Sequence, residues 1–464
     1  MNFTSYEFLV FIILVLAAYW RLRKQAWQNL FLLAVSYVFY AWAHPWYAVM
    51  LGLSTLGDFG IALAMRKSAR KNGWLAASLA LNLLVLGFFK YYNFFIPQVA
   101  GTLASLGIET DALMVKILLP AGLSFFTLKK LGYVLDVWKE NLQPTTNLVS
   151  FALFVSFFPQ INAGPIDRAQ KLLPQIDAPR AWKADNFYRA WPLLVMGFFK
   201  KFVIANGVSA TVSRIFHITD PTGELALAGV LGFGLQVLAD FTAYTDISRG
   251  IALLMGFETS ENFRAPFLSL TPTEFWNRWH MTLSFWMRDY IFFPLRRKLM
   301  RARLPSWLTD ALPPLVTMLV SGLWHGAGWT FVVWGAWFGI LIVGYQAVGI
   351  RGDYHPSNPF KRALAWLVMF TFLQVSWLLF AAPSLAWIGK VFSGPFLGTI
   401  EEQSVALLTF TITAIFSAPM ILKHLLDRHI KSDSLVHALF YAAATVVMIV
   451  YVNSASPDFV YFQF

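Results

Sequence analysis

Two histidines stand where ionisable residues are expensive. His325 lies in SGLWHGAGWT (321–330), between the apolar runs LPPLVTMLV and FVVWGAWFGILIVGY, and His280 closes EFWNRWH (274–280). Imidazole is the side chain best suited to taking a proton from a hydroxyl near neutral pH. An ionisable group within an apolar, membrane-type segment is a functional candidate by default. For either histidine the alternative is a satisfied ring bonding a neighbouring helix. For His325, Gly322, Gly326 and Gly328 favour a functional use, because they let another backbone or a ligand come close. His44, His217, His355, His424, His429 and His437 fall in loops or at segment ends and read as surface or interfacial residues. Two histidines with no HxxxH or HExxH spacing and no cysteine make a poor zinc site, so no metal is expected. GxSxG, P-loop, GxGxxG and HxxxxD patterns are all missing from the sequence.

The elements that must hold these residues are membrane helices. Hydrophobic residues make up 58% of the 464 and charged residues only 13%, against about 25% charged in a soluble domain. Such a chain cannot bury its apolar surface in water. With about 20 apolar residues needed per span, the sequence divides into about eleven or twelve hydrophobic segments. The first, Phe8 to Trp20, is followed by RLRK and lacks a small-residue cleavage site, so it is expected to be retained as a membrane segment. The basic loops RLRK (21–24), RKSARK (66–71), LRRKLMRAR (295–303) and KHLLDRHIK (423–431) place their sides in the cytoplasm, with both termini outside. The net charge of +12 reflects these loops and an affinity for anionic lipid or an anionic cosubstrate rather than nucleic acid. The absence of cysteine rules out disulfides, thiolate metal sites and a cysteine-linked acyl intermediate.

Several segments are broken. ILLPAGLSFFTLKKLGYVLDVW (117–138) carries Pro120, Gly122, Lys129 and Lys130, and FVSFFPQINAGPIDR (154–168) carries Pro159, Gly164 and Pro165. Both are expected to be re-entrant or interfacial, which is tolerable at membrane depth only where protein or a wet cavity surrounds them. Asp240 and Asp246 lie within an otherwise apolar run, and Arg288, Arg296, Arg297, Lys298, Arg301 and Arg303 cluster near the histidine region. Positive-inside topology accounts for much of that cluster. It also suits a cytoplasmic phosphate-bearing donor such as coenzyme A.

The chain resembles the membrane-bound O-acyltransferase family, in its alginate O-acetylase-like and peptidoglycan O-acetyltransferase-like branch. The resemblance rests on GFFKYYNFF (87–95), LPAGLSFFTLKKLGYVLDVW (119–138), FFPQINAGPIDR (157–168), DFTAYTDISRGIALLMGF (240–257), EFWNRWHMTLSFWMRDYIFFPL (274–295), SGLWHGAGWTFVVWGAWFG (321–339) and FVYFQF (459–464), in that order. It implies an all-α polytopic membrane protein, a ring of tilted and re-entrant helices around a central funnel. The whole of 1–464 is read as a single membrane domain, with N-terminal helices in 1–100, a catalytic core in 101–350 and C-terminal helices in 351–464. It further implies that His325 is the catalytic histidine and His280 the second one. Trp324, Trp279, Trp276, Arg278, Asn277, Arg288, Arg296 and Arg297 would form the substrate tunnel or bind the donor.

The implied donor is acetyl-CoA, used as a substrate with no permanently bound cofactor. The implied reaction is O-acetylation of an extracytoplasmic polysaccharide at the bacterial inner membrane. A periplasmic SGNH or esterase-like transferase would be the partner, and an exposed FVYFQF would help to present the acyl group. One departure stands out: Phe338 occupies a position where many relatives carry a further histidine. Competing readings are a transporter or flippase of a lipid-linked sugar, which would also use broken helices and buried Asp240 and Asp246; a scaffold without activity; and, within the family, D-alanyl transfer to teichoic acid.

Overall fold

A computed structural model describes residues 1–42, 44–106, 117–452 and 459. The described residues are helical with no strand. Seven helices are long and apolar enough to cross a membrane: Pro45–Lys67, Lys71–Ser105, Ala184–Phe216, Gly223–Leu254, Trp329–Ala347, Pro359–Ala381 and Ile400–His429. Tyr6–Tyr19 and Leu435–Tyr451 are shorter apolar helices. Large aliphatic side chains such as Leu83, Leu84 and Ile400 stand exposed on these helices, as a surface facing hydrocarbon requires. Helix Leu385–Ser393 has only nine residues and stops before the Gly394-Pro395 pair.

The chain forms two compact units. The first comprises Met1–Ala190 and Ser248–Ser260. In it, the break before helix Leu123–Trp138 falls at Gly122, whose φ of 73° is left-handed, and a Cβ there would lie 2.2 Å from the Ile161 carbonyl oxygen. Glycine is therefore needed both for its dihedral and for its lack of a side chain. The second broken stretch runs without regular helix from Phe157 to Asp167, and all of it is buried in protein.

Polar groups knit this region together. Lys129 donates to Gln160 (2.9 Å), and Gln160 donates to Asp167 (2.6 Å). Lys130 pairs with Asp58 at 3.3 Å. Asp58 also accepts from Ser78 at 2.6 Å and from Asn82 at 2.8 Å. Buried charges demand such pairing, so the twin lysines of the broken segment serve the internal structure of this unit.

The second unit comprises Trp191–Ile247 and Glu261–Phe464. Within the continuous helix Ala184–Phe216, residues Lys200–Ala205 widen into a π-helical turn. That turn presents Lys200 to Asp246 (2.5 Å) and Lys201 to Asp240 (2.8 Å) on helix Gly223–Leu254. The centre of the unit is a helical hairpin, Ser306–His325 and Trp329–Ala347. Pro313 and Pro314 sit inside the first helix, and Thr317 donates back to the Pro313 carbonyl at 2.6 Å.

Glycines let the two helices of the hairpin touch through their backbones. A Cβ on Gly322 would lie 2.2 Å from the Phe331 carbonyl oxygen, and one on Gly335 2.4 Å from that of Met318. Small residues at such crossings are what allow close helix approach in a membrane. Replacing Gly335 by alanine forces the helices apart. Overpacking of this kind costs about 1–3 kcal/mol, so G335A should lower the thermal midpoint in detergent. An unchanged midpoint would refute the close crossing.

Candidate active site

His325 is the last residue of its helix. The chain turns at Gly326, where a Cβ would fall 2.0 Å from the ring of Phe331, and re-enters helix at Trp329. The glycines around His325 thus admit neighbouring parts of its own hairpin: a backbone carbonyl at Gly322 and a phenyl ring at Gly326. The imidazole is 5% exposed and packs among aromatic rings. Trp324 and Trp334 each stand edge-on with centroids 5.0 Å away, and Phe380 at 5.4 Å.

His280 is fully buried. It begins helix Met281–Met287 in the left-handed region, with φ 42° and ψ 50°. For a residue with a Cβ this conformation is strained, and such strain persists only where the surroundings over-determine it. Asn262 supplies that determination. Its Oδ1 accepts from the Thr282 amide (3.0 Å) and the Thr282 hydroxyl (2.9 Å) and lies 3.3 Å from His280 Nδ1. Its carbonyl accepts from the Met281 amide at 2.9 Å. Phe241 packs edge-on against the imidazole at 4.8 Å. Trp324 lies between the two histidines, 6.0 Å from His280 and 5.0 Å from His325.

A cavity of about 190 Å³ opens beside this shell. Trp276, Asn277 and Arg288 line it, with Ser284, Thr317, Ser321 and several apolar side chains. Ser321 is one helical turn before His325. Trp276 connects the cavity to the histidines, since its ring meets Trp334 at 5.7 Å, and Trp334 meets His325. Arg288 is held by Asp289 at 3.2 Å and by the ring of Phe285 at 4.5 Å.

The remaining residues singled out from the sequence lie elsewhere. Trp279 is buried, parallel to Phe275 and Phe267. Arg278 pairs with Glu274 at 2.7 Å. Arg296 pairs with Asp310 on an exposed surface, and Arg297 is exposed; neither lines the cavity. Phe338 is fully buried, stacked on Phe275 with an interplanar angle of 3° and edge-on to both Trp276 and Trp334.

Asp240 and Asp246 are engaged by Lys201 and Lys200, a structural use that needs no transporter to explain it. The expectation of an exposed C-terminal FVYFQF is corrected at Phe459, the one described residue of that stretch. Its ring is buried under the Lys201 ammonium at 4.3 Å and against Tyr244 at 4.9 Å. Burying an aromatic ring beside a desolvated cation is favourable, and a free phenyl group in water would forgo that. The other five residues lie outside the described residues.

Asn262 and Trp334 were not anticipated from the sequence. Asn262 sits in a loop, 18 residues before the histidine it contacts, and no local pattern marks it. Trp334 stands at an ordinary apolar helix position, nine residues after His325; only the hairpin turn, marked by Gly326 and Gly328, could have suggested the pairing.

Comparison with known proteins places the chain. The model of the MBOAT, membrane-bound O-acyltransferase family, matches residues 140–382. The chain is 37% identical to a probable alginate O-acetylase of Azotobacter vinelandii over 83% of this chain and 77% of the relative. It is 34% identical to the probable alginate O-acetylase of Pseudomonas aeruginosa, over 83% and 74%. A peptidoglycan O-acetyltransferase of Helicobacter pylori is 29% identical over 92% and 82%.

Removing the Asn262 side chain would leave the strained backbone at His280 without its tether. Losing hydrogen bonds of this kind costs about 1–3 kcal/mol, so Asn262→Ala should lower stability and acyl transfer together. Full activity at an unchanged thermal midpoint would show that Asn262 holds nothing in place.

Proposed function

The chain belongs to the membrane-bound O-acyltransferase family, and on that premise we propose that it moves an acetyl group from cytoplasmic acetyl-CoA to the O-acetylation of an extracytoplasmic polysaccharide, with His325 as the catalytic base. The observation that carries this reading is the continuity of ring contacts. His325 abuts Trp334, Trp334 abuts Trp276, and Trp276 walls a cavity that also holds Arg288. A thioester is already activated, so the protein's task is to position it and to deprotonate a hydroxyl. The cavity is mainly apolar with one arginine, the composition that suits a pantetheine-like chain ending in a phosphate-bearing group. The aromatic shell keeps water from the thioester. His280, fixed by Asn262, stands behind Trp324 as a positioning residue for that shell.

The acceptor is of the alginate kind or a similar exopolysaccharide, or peptidoglycan. The alginate O-acetylases among the relatives share more identity with this chain than the peptidoglycan enzyme does, 37% against 29%, which favours the exopolysaccharide. A periplasmic SGNH or esterase-like transferase would complete delivery at the outer face. The setting is a bacterial inner membrane, with both termini outside.

The test is transfer of radiolabelled acetate from acetyl-CoA to polysaccharide in membrane vesicles carrying the chain and its partner. General base catalysis contributes about 10²–10⁴-fold, so His325→Ala should lower transfer by at least the smaller figure while the protein remains folded by thermal unfolding. Transfer near the wild-type rate would remove His325 from the mechanism.

A further inference from the structure

We infer that Trp334 is a second catalytic group, its indole N–H donating a hydrogen bond to the carbonyl oxygen of the acyl donor as negative charge develops there. The inference rests on the reading of His325 given above and adds to it the group that stabilises the transition state.

Three observations lead to it. First, Trp334 is 1% exposed, yet its Nε1–H has no acceptor among the described residues. A buried N–H without an acceptor is a standing cost. Second, the rings packed around it, Phe338, Phe380 and Trp276, are apolar or face it edge-on. A phenylalanine at 334 would avoid burying a donor, at the cost of part of the space that the indole fills, and the shell uses phenylalanine at both 338 and 380. Third, Trp334 is in ring contact with His325 on one side and with the cavity-lining Trp276 on the other. The indole therefore borders the place where an acyl carbon would meet the imidazole edge.

The step balances within the established class of reaction. The acceptor hydroxyl gives its proton to the His325 imidazole, and its oxygen bonds to the thioester carbonyl carbon. The π pair of the carbonyl moves onto oxygen, where the Trp334 N–H donates to it. The pair then returns, the carbon–sulfur bond breaks, and the departing thiolate takes the proton from the imidazolium. A donor aimed at such an oxygen in a dry site stabilises the transition state more than the ground state.

Turnover of acetyl-CoA, read as thiol release in vesicles supplied with partner and polysaccharide, tests this. Trp334→Phe removes the donor, and replacement of Trp334 by 3-benzothienylalanine removes it while keeping the bicyclic shape. Both should lower kcat by about 10²-fold, the usual effect of losing one such donor. The Kd for coenzyme A and the pH profile of the remaining activity should stay where they are in the wild type, since neither depends on the N–H. A purely packing role would instead spare the benzothienyl variant. If that variant keeps kcat within about threefold of the wild type, well short of the effect of a lost oxyanion donor, while His325→Ala is inactive, the inference fails and the reading of His325 stands. If His325→Ala itself turns over normally, both fall.

Discussion

The site depends on one constraint: an imidazole can be kept deep in apolar surroundings only if the backbone carrying it cannot move. The hairpin Ser306–His325 and Trp329–Ala347 meets that demand by direct contact of main chains at Gly322 and Gly335. Contacts of this kind involve few rotatable bonds, so they fix the crossing more firmly than interdigitated long side chains could. His325 is the residue at the apex, and Gly326, pressed against Phe331, sets the direction in which the chain leaves it. The aromatic shell is then assembled on this fixed point. Every ring touching His325 comes from the hairpin itself or from helix Pro359–Ala381 among the described contacts.

The charges in the second unit divide into two kinds. Lys200 and Lys201 are matched to Asp246 and Asp240 across a π-helical turn, and Arg278 is matched to Glu274. A π turn shifts the register of the side chains that follow it, and here it brings two consecutive lysines onto a helix whose aspartates are six residues apart. Such pairs neutralise what would otherwise be isolated buried charge. Arg288 is different: it is half-exposed, faces the cavity and, among the described residues, pairs with the adjacent Asp289 and aromatic faces. An arginine stacked in that way keeps its guanidinium donors available to an anionic ligand.

How much of this was legible in the sequence follows from the range of each interaction. Helical class, membrane setting and the burial of His325 and His280 are written locally, in composition and in the placing of an ionisable residue among apolar ones. The broken segments were also legible as breaks, since Pro120 and Gly122, and Pro159, Gly164 and Pro165, crowd helix-weakening residues into short stretches. Their purpose was not. Lys129 and Lys130 find partners 31 and 72 residues away, at Gln160 and Asp58, and nothing near them announces which polar groups will meet. The same holds for Asn262, whose role exists only because the chain folds back on His280. The basic residues around 288–303 do not share one location. Charge density grouped them, yet the helix Phe293–Arg301 sends Arg296 and Arg297 to the surface while Arg288, eight residues before Arg296, faces the cavity.

Phe338 shows what the shell itself requires. A histidine at this position would bring a second ionisable group, two ring nitrogens and their hydration into contact with Trp276 and Trp334. The phenylalanine instead lies flat on Phe275 and edge-on to both indoles, which completes a run of apolar surface from the cavity wall to His325. On the proposed reading a thioester waits beside a base, and it would be vulnerable to any water that the base could activate in place of the intended hydroxyl. Excluding water is therefore worth as much to such a reaction as the base is. On the proposed reading, phenylalanine at 338 keeps polarity out of the region where it would invite hydrolysis, and proton transfer is left to the imidazole that the glycine hairpin holds in place.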